Sequence, residues 1–154
     1  MVKFDFYKQF ILNGNESNRS LRHNFFPVNK EEINKAEDRL GFSLPQELIE
    51  FYLQIGYGFM FTNEENALNR LLHPSTVADI YLRKDEFEAD PDLEIYDDKS
   101  KIIIFQVNEG IYITIDNSKD SSGVYYFTAK IAESFEDFII KLENNSSYFE
   151  DYEI

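Results

Sequence analysis

The residues of this chain whose types could do chemistry are two histidines, a glycine pair and a dense run of carboxylates. A catalytic histidine needs a nucleophile and an orienting group, and a metal site needs further ligands at workable spacing. His23 and His73 lie far apart in the chain with neither kind of partner nearby, and His73, beside Pro74, reads as a turn residue making a structural hydrogen bond. Gly56-Tyr57-Gly58 lacks the Lys and Ser/Thr of a phosphate-binding loop. The absence of cysteine removes thiolate nucleophiles, disulfides and cysteine-based zinc sites. With 29 acids, neighbouring carboxylates arise by chance, so Glu64-Glu65 and Glu136-Asp137 read as surface pairs and not as hydrolytic dyads. No catalytic residue, metal ligand or cofactor site is expected.

The carboxylate run is different in kind. Residues 85–98 hold eight acids and no base: Asp85, Glu86, Glu88, Asp90, Asp92, Glu94, Asp97 and Asp98. The frame of a calcium-binding EF-hand, with alternate acids, a central glycine and a terminal glutamate, is missing, which leaves at most weak cation binding. Charge runs are usually solvated surface. Here, however, Phe87, Leu93, Ile95 and Tyr96 interrupt the run, and a purely solvating segment needs no apolar anchors. They predict a loop pinned to the body with its charges displayed, a docking surface built from the eight acids and Tyr96. Tyr96, Tyr112, Tyr125, Tyr126, Tyr148 and Tyr152 all lie in this acidic second half. Tyrosine favours interfaces, although Tyr112 and Tyr125 sit where they would fill a half-buried sheet face.

The formal charge of −14 is unevenly spread: the first 30 residues carry +3 and the remainder −17. Such a body repels phosphate backbones and anionic headgroups, so nucleic acid and membranes are not expected as partners, whereas a basic protein is. The amino-terminal residues lack a secretory core and cleavage site, and no apolar run nears the ~20 residues of a membrane span, so a cytoplasmic protein is expected. A 43% hydrophobic fraction supplies ample core for one domain spanning residues 1–154.

The elements that must position these residues can be read in order. Phe4, Phe6, Tyr7, Phe10 and Ile11 suggest a short aromatic helix followed by a polar loop. Asn29 and Glu32 form a capping box, with Val28 and Ile33 placed as a hydrophobic staple. Ile33, Ala36 and Leu40 recur at helical spacing up to Gly41. Pro45 opens a second helix in its first turn, with Leu48, Phe51, Tyr52 and Ile55 as its apolar stripe and Gly56 ending it. Residues 58–61 begin a sheet. Residues 69–83 read as a strand end, a turn at His73-Pro74 and a short helix from Ser75. Three strands follow: an apolar run at residues 101–107, an alternating strand at 111–116 with one wet face, and residues 123–127. Asn108-Glu109-Gly110 predicts a three-residue hairpin between the first two. Ser134 and Asp137 start a final helix bearing Phe135, Phe138, Ile139 and Leu142.

The helical hairpin at residues 28–61, with Glu37, Leu40, Gly41, Leu44 and Pro45 forming E-x-x-L-G-x-x-L-P, resembles the SUKH superfamily. Residues 69–81, NRLLHPSTVADIY, are similar to the segment leading into that family's middle helix. Residues 124–139, VYYFTAKIAESFEDFI, are similar to its closing strand and carboxy-terminal helix. The resemblance implies an α+β fold, a single domain with a central, largely antiparallel sheet flanked by an amino-terminal helical hairpin and a carboxy-terminal helix. It implies no catalytic residues and no cofactor. Many relatives carry an Asn-Gly pair where this chain has Gly56-Tyr57-Gly58, a departure expected to alter a turn and leave the fold intact. The implied function is that of an immunity protein which binds and neutralises a cognate toxin, often a nuclease. The alternative is an intracellular adaptor related to cell-wall synthesis regulators. Interface residues do not carry over, because partners differ among members.

Overall fold

The computed structural model describes residues 4–14, 18, 20–65, 67–118 and 122–152. Its centre is a seven-stranded sheet in which every strand pairs antiparallel with the next in sequence: β1 (His23–Phe26), β2 (Tyr57–Met60), β3 (Arg70–Leu71), β4 (Lys101–Asn108), β5 (Ile111–Asp116), β6 (Val124–Tyr126) and β7 (Ala129–Ala132). Helices α1 (Lys30–Leu40) and α2 (Gln46–Gln54) join β1 to β2, α3 (Pro74–Leu82) follows β3, and α4 (Phe135–Asn144) follows β7. The α+β architecture expected from the sequence is the one found.

Local signals set most boundaries. Asn29 accepts from the Glu32 amide at 2.9 Å while the Glu32 carboxylate accepts from the Asn29 amide at 2.8 Å, so both capping donors of α1 are satisfied. Val28 and Ile33 are both buried, and Gly41 ends the helix at φ 85°. Pro45 stands one residue earlier than expected, as the residue preceding α2 and not as its first. Ser134 caps α4 by accepting from the Asp137 amide at 3.1 Å, but Asp137 returns its bond to Glu133 instead of to Ser134. The aromatic amino-terminal segment forms a 3-10 helix, Asp5–Phe10.

The helical layer covers one face of the sheet through aromatic contacts. Phe51 of α2 meets Phe25 of β1 with ring centroids 5.5 Å apart, and Phe138 of α4 meets Phe105 of β4 at 5.6 Å. Phe4 wedges between Phe51 and Phe135, tying the first turn to α2 and α4. T-shaped pairs of this kind contribute beyond the area they bury.

Four features differ from the sequence expectation. Strands β1 and β7, only four residues each, carry no period of their own and form because β2 and β6 offer them partners. The β4–β5 turn is a two-residue turn, since Asn108 pairs with Ile111 and Gly110 takes φ 74°. Most consequentially, β5 has no wet face: Tyr112, Thr114 and Asp116 are nearly as buried as Ile113 and Ile115. The acidic segment at residues 85–98 lies over that side.

Gly56 and Gly58 adopt φ of 129° and 147°, and a β-carbon on either would collide with a β1 carbonyl, that of Phe26 or Asn24 respectively. This close approach of backbones is what the glycine pair provides. Gly58→Ala is therefore expected to destabilise by about 2 kcal/mol or more. Gly14→Ala, at a site with nothing within 4 Å of the added carbon, should stay within about 0.5 kcal/mol of the parent in urea unfolding.

Candidate functional site: an acidic strap over the sheet

The strap begins where α3 stops. Arg83 takes a left-handed conformation (φ 54°), and its guanidinium donates to the carbonyls of Ile80 at 2.5 Å, Leu93 at 3.3 Å and Tyr96 at 2.8 Å. One side chain thereby binds the end of α3 to the far half of the strap. Two 3-10 turns, Asp85–Phe87 and Pro91–Tyr96, shape the segment, the second capped by Asp90 accepting from the Asp92 amide at 2.9 Å. At the exit Lys99 donates to the Tyr81 carbonyl at 2.6 Å and lies over the Tyr81 ring, while the Tyr81 hydroxyl donates back to the Lys99 carbonyl at 3.0 Å. Both ends of the strap are thus fixed to α3.

The apolar residues do what their interruption of the acid run predicted, with one exception. Leu93 is fully buried, and Phe87 and Tyr96 pack against the core. Tyr96 meets the Tyr112 ring edge-on at 5.4 Å, and its hydroxyl accepts from the Tyr112 amide at 3.0 Å. Burial raises the Tyr96 hydroxyl above its ordinary pKa, so it remains a neutral phenol. Ile95, the exception, is 65% exposed.

The carboxylates face the other way. Asp85, Glu86, Glu88, Asp92, Glu94, Asp97 and Asp98 are exposed and Asp90 is partly so. Of the eight, only Asp98 forms an ion pair among the described residues, with Lys101 at 3.2 Å. Hydrogen bonds from the Ser100 hydroxyl and amide hold the Asp98 carboxyl down, to about 2. The structure therefore brings all nine residues singled out in the sequence onto one strap, packs the partly buried tyrosine against the core and leaves seven carboxylates without a paired cation among the described residues. The sequence did not single out Arg83, Lys99 and Tyr81, which hold the strap in place.

The histidines are consumed by structure. His73 caps α3, its Nδ1 accepting from the Ser75 amide at 3.0 Å, and its Nε2 lies 3.1 Å from the Glu32 carboxylate. His23 is fully buried among Tyr7, Phe10, Phe25 and Phe61. Its Nδ1 accepts from the Phe61 amide at 3.0 Å, which places the ring proton on Nε2, donated to Glu143 at 2.9 Å. Glu143 also accepts from the Tyr7 hydroxyl at 2.9 Å and from Arg22 at 2.7 Å, joining β1, α4 and the first turn. Of the adjacent acid pairs, Glu64 accepts from the Ser146 hydroxyl and Asp137 pairs with Lys141. No group of three His, Asp or Glu side chains among the described residues could hold a metal ion. No helix among them is long and apolar enough to cross a membrane.

The model of the SMI1 / KNR4 family (SUKH-1) matches residues 27–141, which include the α1–α2 hairpin, the strap and most of α4. The chain belongs to this family. It is 41% identical over 132 residues to a Bacillus subtilis (strain 168) protein named immunity protein YxxD, a match covering 84% of this chain and 89% of that protein. The strap at residues 85–98 lies inside the matched family region.

Two outcomes follow from this geometry. Tyr96→Phe removes the acceptor of the Tyr112 amide and should cost about 1–3 kcal/mol in urea unfolding. The His23 pKa is lowered, chiefly by burial, with the Glu143 contacts opposing that shift. The unfolded chain therefore takes up this proton first as pH falls. The His23 contribution to stability is full above pH ~6.5 and is lost below it, at up to about 1.4 kcal/mol per unit, until the folded-state pKa is reached. Unfolding midpoints between pH 7.5 and 5 should show this slope in the parent and not in His23→Gln.

Proposed function

We propose that this SUKH-1 protein is an immunity protein that binds and neutralises a cognate protein toxin by direct contact, without catalysis of its own. The observation that carries the reading is the 41% identity, over most of both chains, to a protein named as an immunity protein. The physical chemistry of the surface supports the same reading. A −14 protein is repelled by nucleic acid yet complements the positive surface that a phosphate-binding toxin such as a nuclease must present. The cognate toxin in this reading is basic, and the strap, with its unpaired carboxylates held on a fixed backbone, is the docking face for it. Fixing the charges in advance matters, because a loop ordered only on binding would spend affinity on its own ordering.

Co-expression with the cognate toxin tests the function: cells should survive with the parent protein, and continued killing would overturn the proposal. The docking face has its own test. Replacing Glu86, Glu88, Asp90 and Asp92 with their amides preserves shape, since an amide at residue 90 can still cap the following turn. Association with the toxin should then slow by about tenfold or more at low salt and lose much of its salt dependence. Unchanged association kinetics would return the strap to the role of a solvated covering.

A further inference from the structure

We infer that the cleft between the far end of the strap and the outer face of the sheet receives an arginine side chain of the basic partner. The source of that arginine rests on the toxin-binding reading; the chemistry of the cleft does not.

The cleft measures about 290 Å³ and opens between residues 95–98 and strands β4, β5 and β6. Its floor is set by strand register: Ile103 pairs with Thr114, and Thr114 with Tyr125. Thr114 is only 6% exposed, and its hydroxyl oxygen is buried with no hydrogen-bond partner among the described residues. A buried hydroxyl left unpaired is costly and marks a place where a donor would be welcome. Tyr96 and Phe127 line the cleft with near-parallel rings, 21° apart in plane and 6.3 Å between centroids. Asp97 and Asp98 stand exposed at the rim, Asp97 without an ion pair among the described residues.

Aromatic faces backed by carboxylates select cations. The protein already uses the cleft in this way: Lys101 lies 4.5 Å from the Tyr125 ring centroid and 3.2 Å from Asp98. A second cation fits best as a guanidinium. It is planar, stacks on aromatic rings, is weakly hydrated, and presents N–H groups in several directions at once, whereas an ammonium is a compact and strongly hydrated charge. The exposed Ile95 beside the opening offers apolar cover for the aliphatic stem of an arginine. An anionic guest would be repelled by the surrounding carboxylates, and a neutral one would gain hydrogen bonds from them without the charge attraction.

Titration of the whole protein with N-acetyl-arginine amide, followed by amide NMR shifts, tests this assignment. Saturable shifts confined to residues 95–98, 114 and 125–128 are expected. The neutral isostere N-acetyl-citrulline amide and the lysine amide should bind roughly fivefold more weakly or worse. Asp97→Asn and Tyr125→Leu should each weaken arginine binding, while Asp38→Asn on the exposed side of α1 should not. If Tyr125→Leu perturbs the fold, Asp97→Asn alone carries the comparison. Absent or unsaturable shifts, shifts elsewhere, or equal binding of citrulline or lysine amide would overturn the inference. No toxin enters the titration, so its failure and a failed rescue of toxin-expressing cells are separate results.

Discussion

The β4–β5 hairpin must be dry on both sides, and much of the structure answers to that requirement. Ile102, Ile104 and Phe105 of β4 and Ile113 and Ile115 of β5 are fully buried, while Ile103, Tyr112, Thr114 and Asp116 are nearly so. An antiparallel hairpin with one solvated face needs a single covering layer, but this one needs two. The helices supply the first through Phe138 against Phe105. The second comes from the long connection between α3 and β4, residues 83–100, which forms two 3-10 turns and no α-helix. A stapled strap fills the role, with Leu93, Phe87 and Tyr96 turned inward. Tyr96 is the most demanding of these, since it seals Tyr112 by ring contact and also accepts its amide proton.

Covering the sheet with an acidic strap sets two demands against each other. Apolar contact requires the segment to lie close, whereas eight carboxylates within 14 residues repel one another and drive it outward. Backbone carbonyls resolve the conflict: Arg83 and Lys99 hold the strap through main-chain oxygens and leave most of its carboxylates alone. Had those two bases paired with carboxylates instead, the strap would have been held equally well with less charge on display. The arrangement keeps the negative potential outward while the backbone stays fixed, as a preformed surface for a basic partner requires.

What the sequence made legible were features encoded within a few residues of one another. The Asn29–Glu32 capping box, Gly41 and the Ser134 cap each rest on neighbouring side chains, and each is present, whereas His73 and Pro74, expected as a turn before the helix, instead cap and open it. The strap was legible for a similar reason: apolar residues inside an acid run have no reason to be there unless something holds them. Strands β1 and β7 were not legible, because four residues supply no readable period and their partners lie elsewhere in the chain. The wet face expected of β5 failed instructively. Tyr112, Thr114 and Asp116 alternate as solvent-facing residues do, yet each has a polar atom that tolerates burial only in particular company. Tyr112 gives its amide to Tyr96, and Asp116 meets Lys101 and the Tyr125 hydroxyl. A two-fold period reports polarity, and the cover over it comes from residues 85–98, which no local pattern links to β5.

Thr114 lies beneath the far end of that cover. Its neighbours on the outer face find polar partners, while its hydroxyl finds none among the described residues. Residues 95–98 and Thr114 line one cleft, and the sheet is dry at Thr114 without being fully paired among the described residues. Extending the strap by a residue or two could have filled this space at little entropic cost, because loop length is tolerated easily. Chain length alone therefore does not account for the opening. Covering alone would favour filling it with an apolar side chain, whereas recognition of a cation favours an aromatic cleft rimmed by acids. The structure has the second arrangement, placed at the end of the strap where its carboxylates meet the exposed Ile95. Stability and recognition are thus divided along one short stretch of chain: residues 83–96 close the fold, and residues 95–98 leave it open at a site whose chemistry suits a guest of opposite charge.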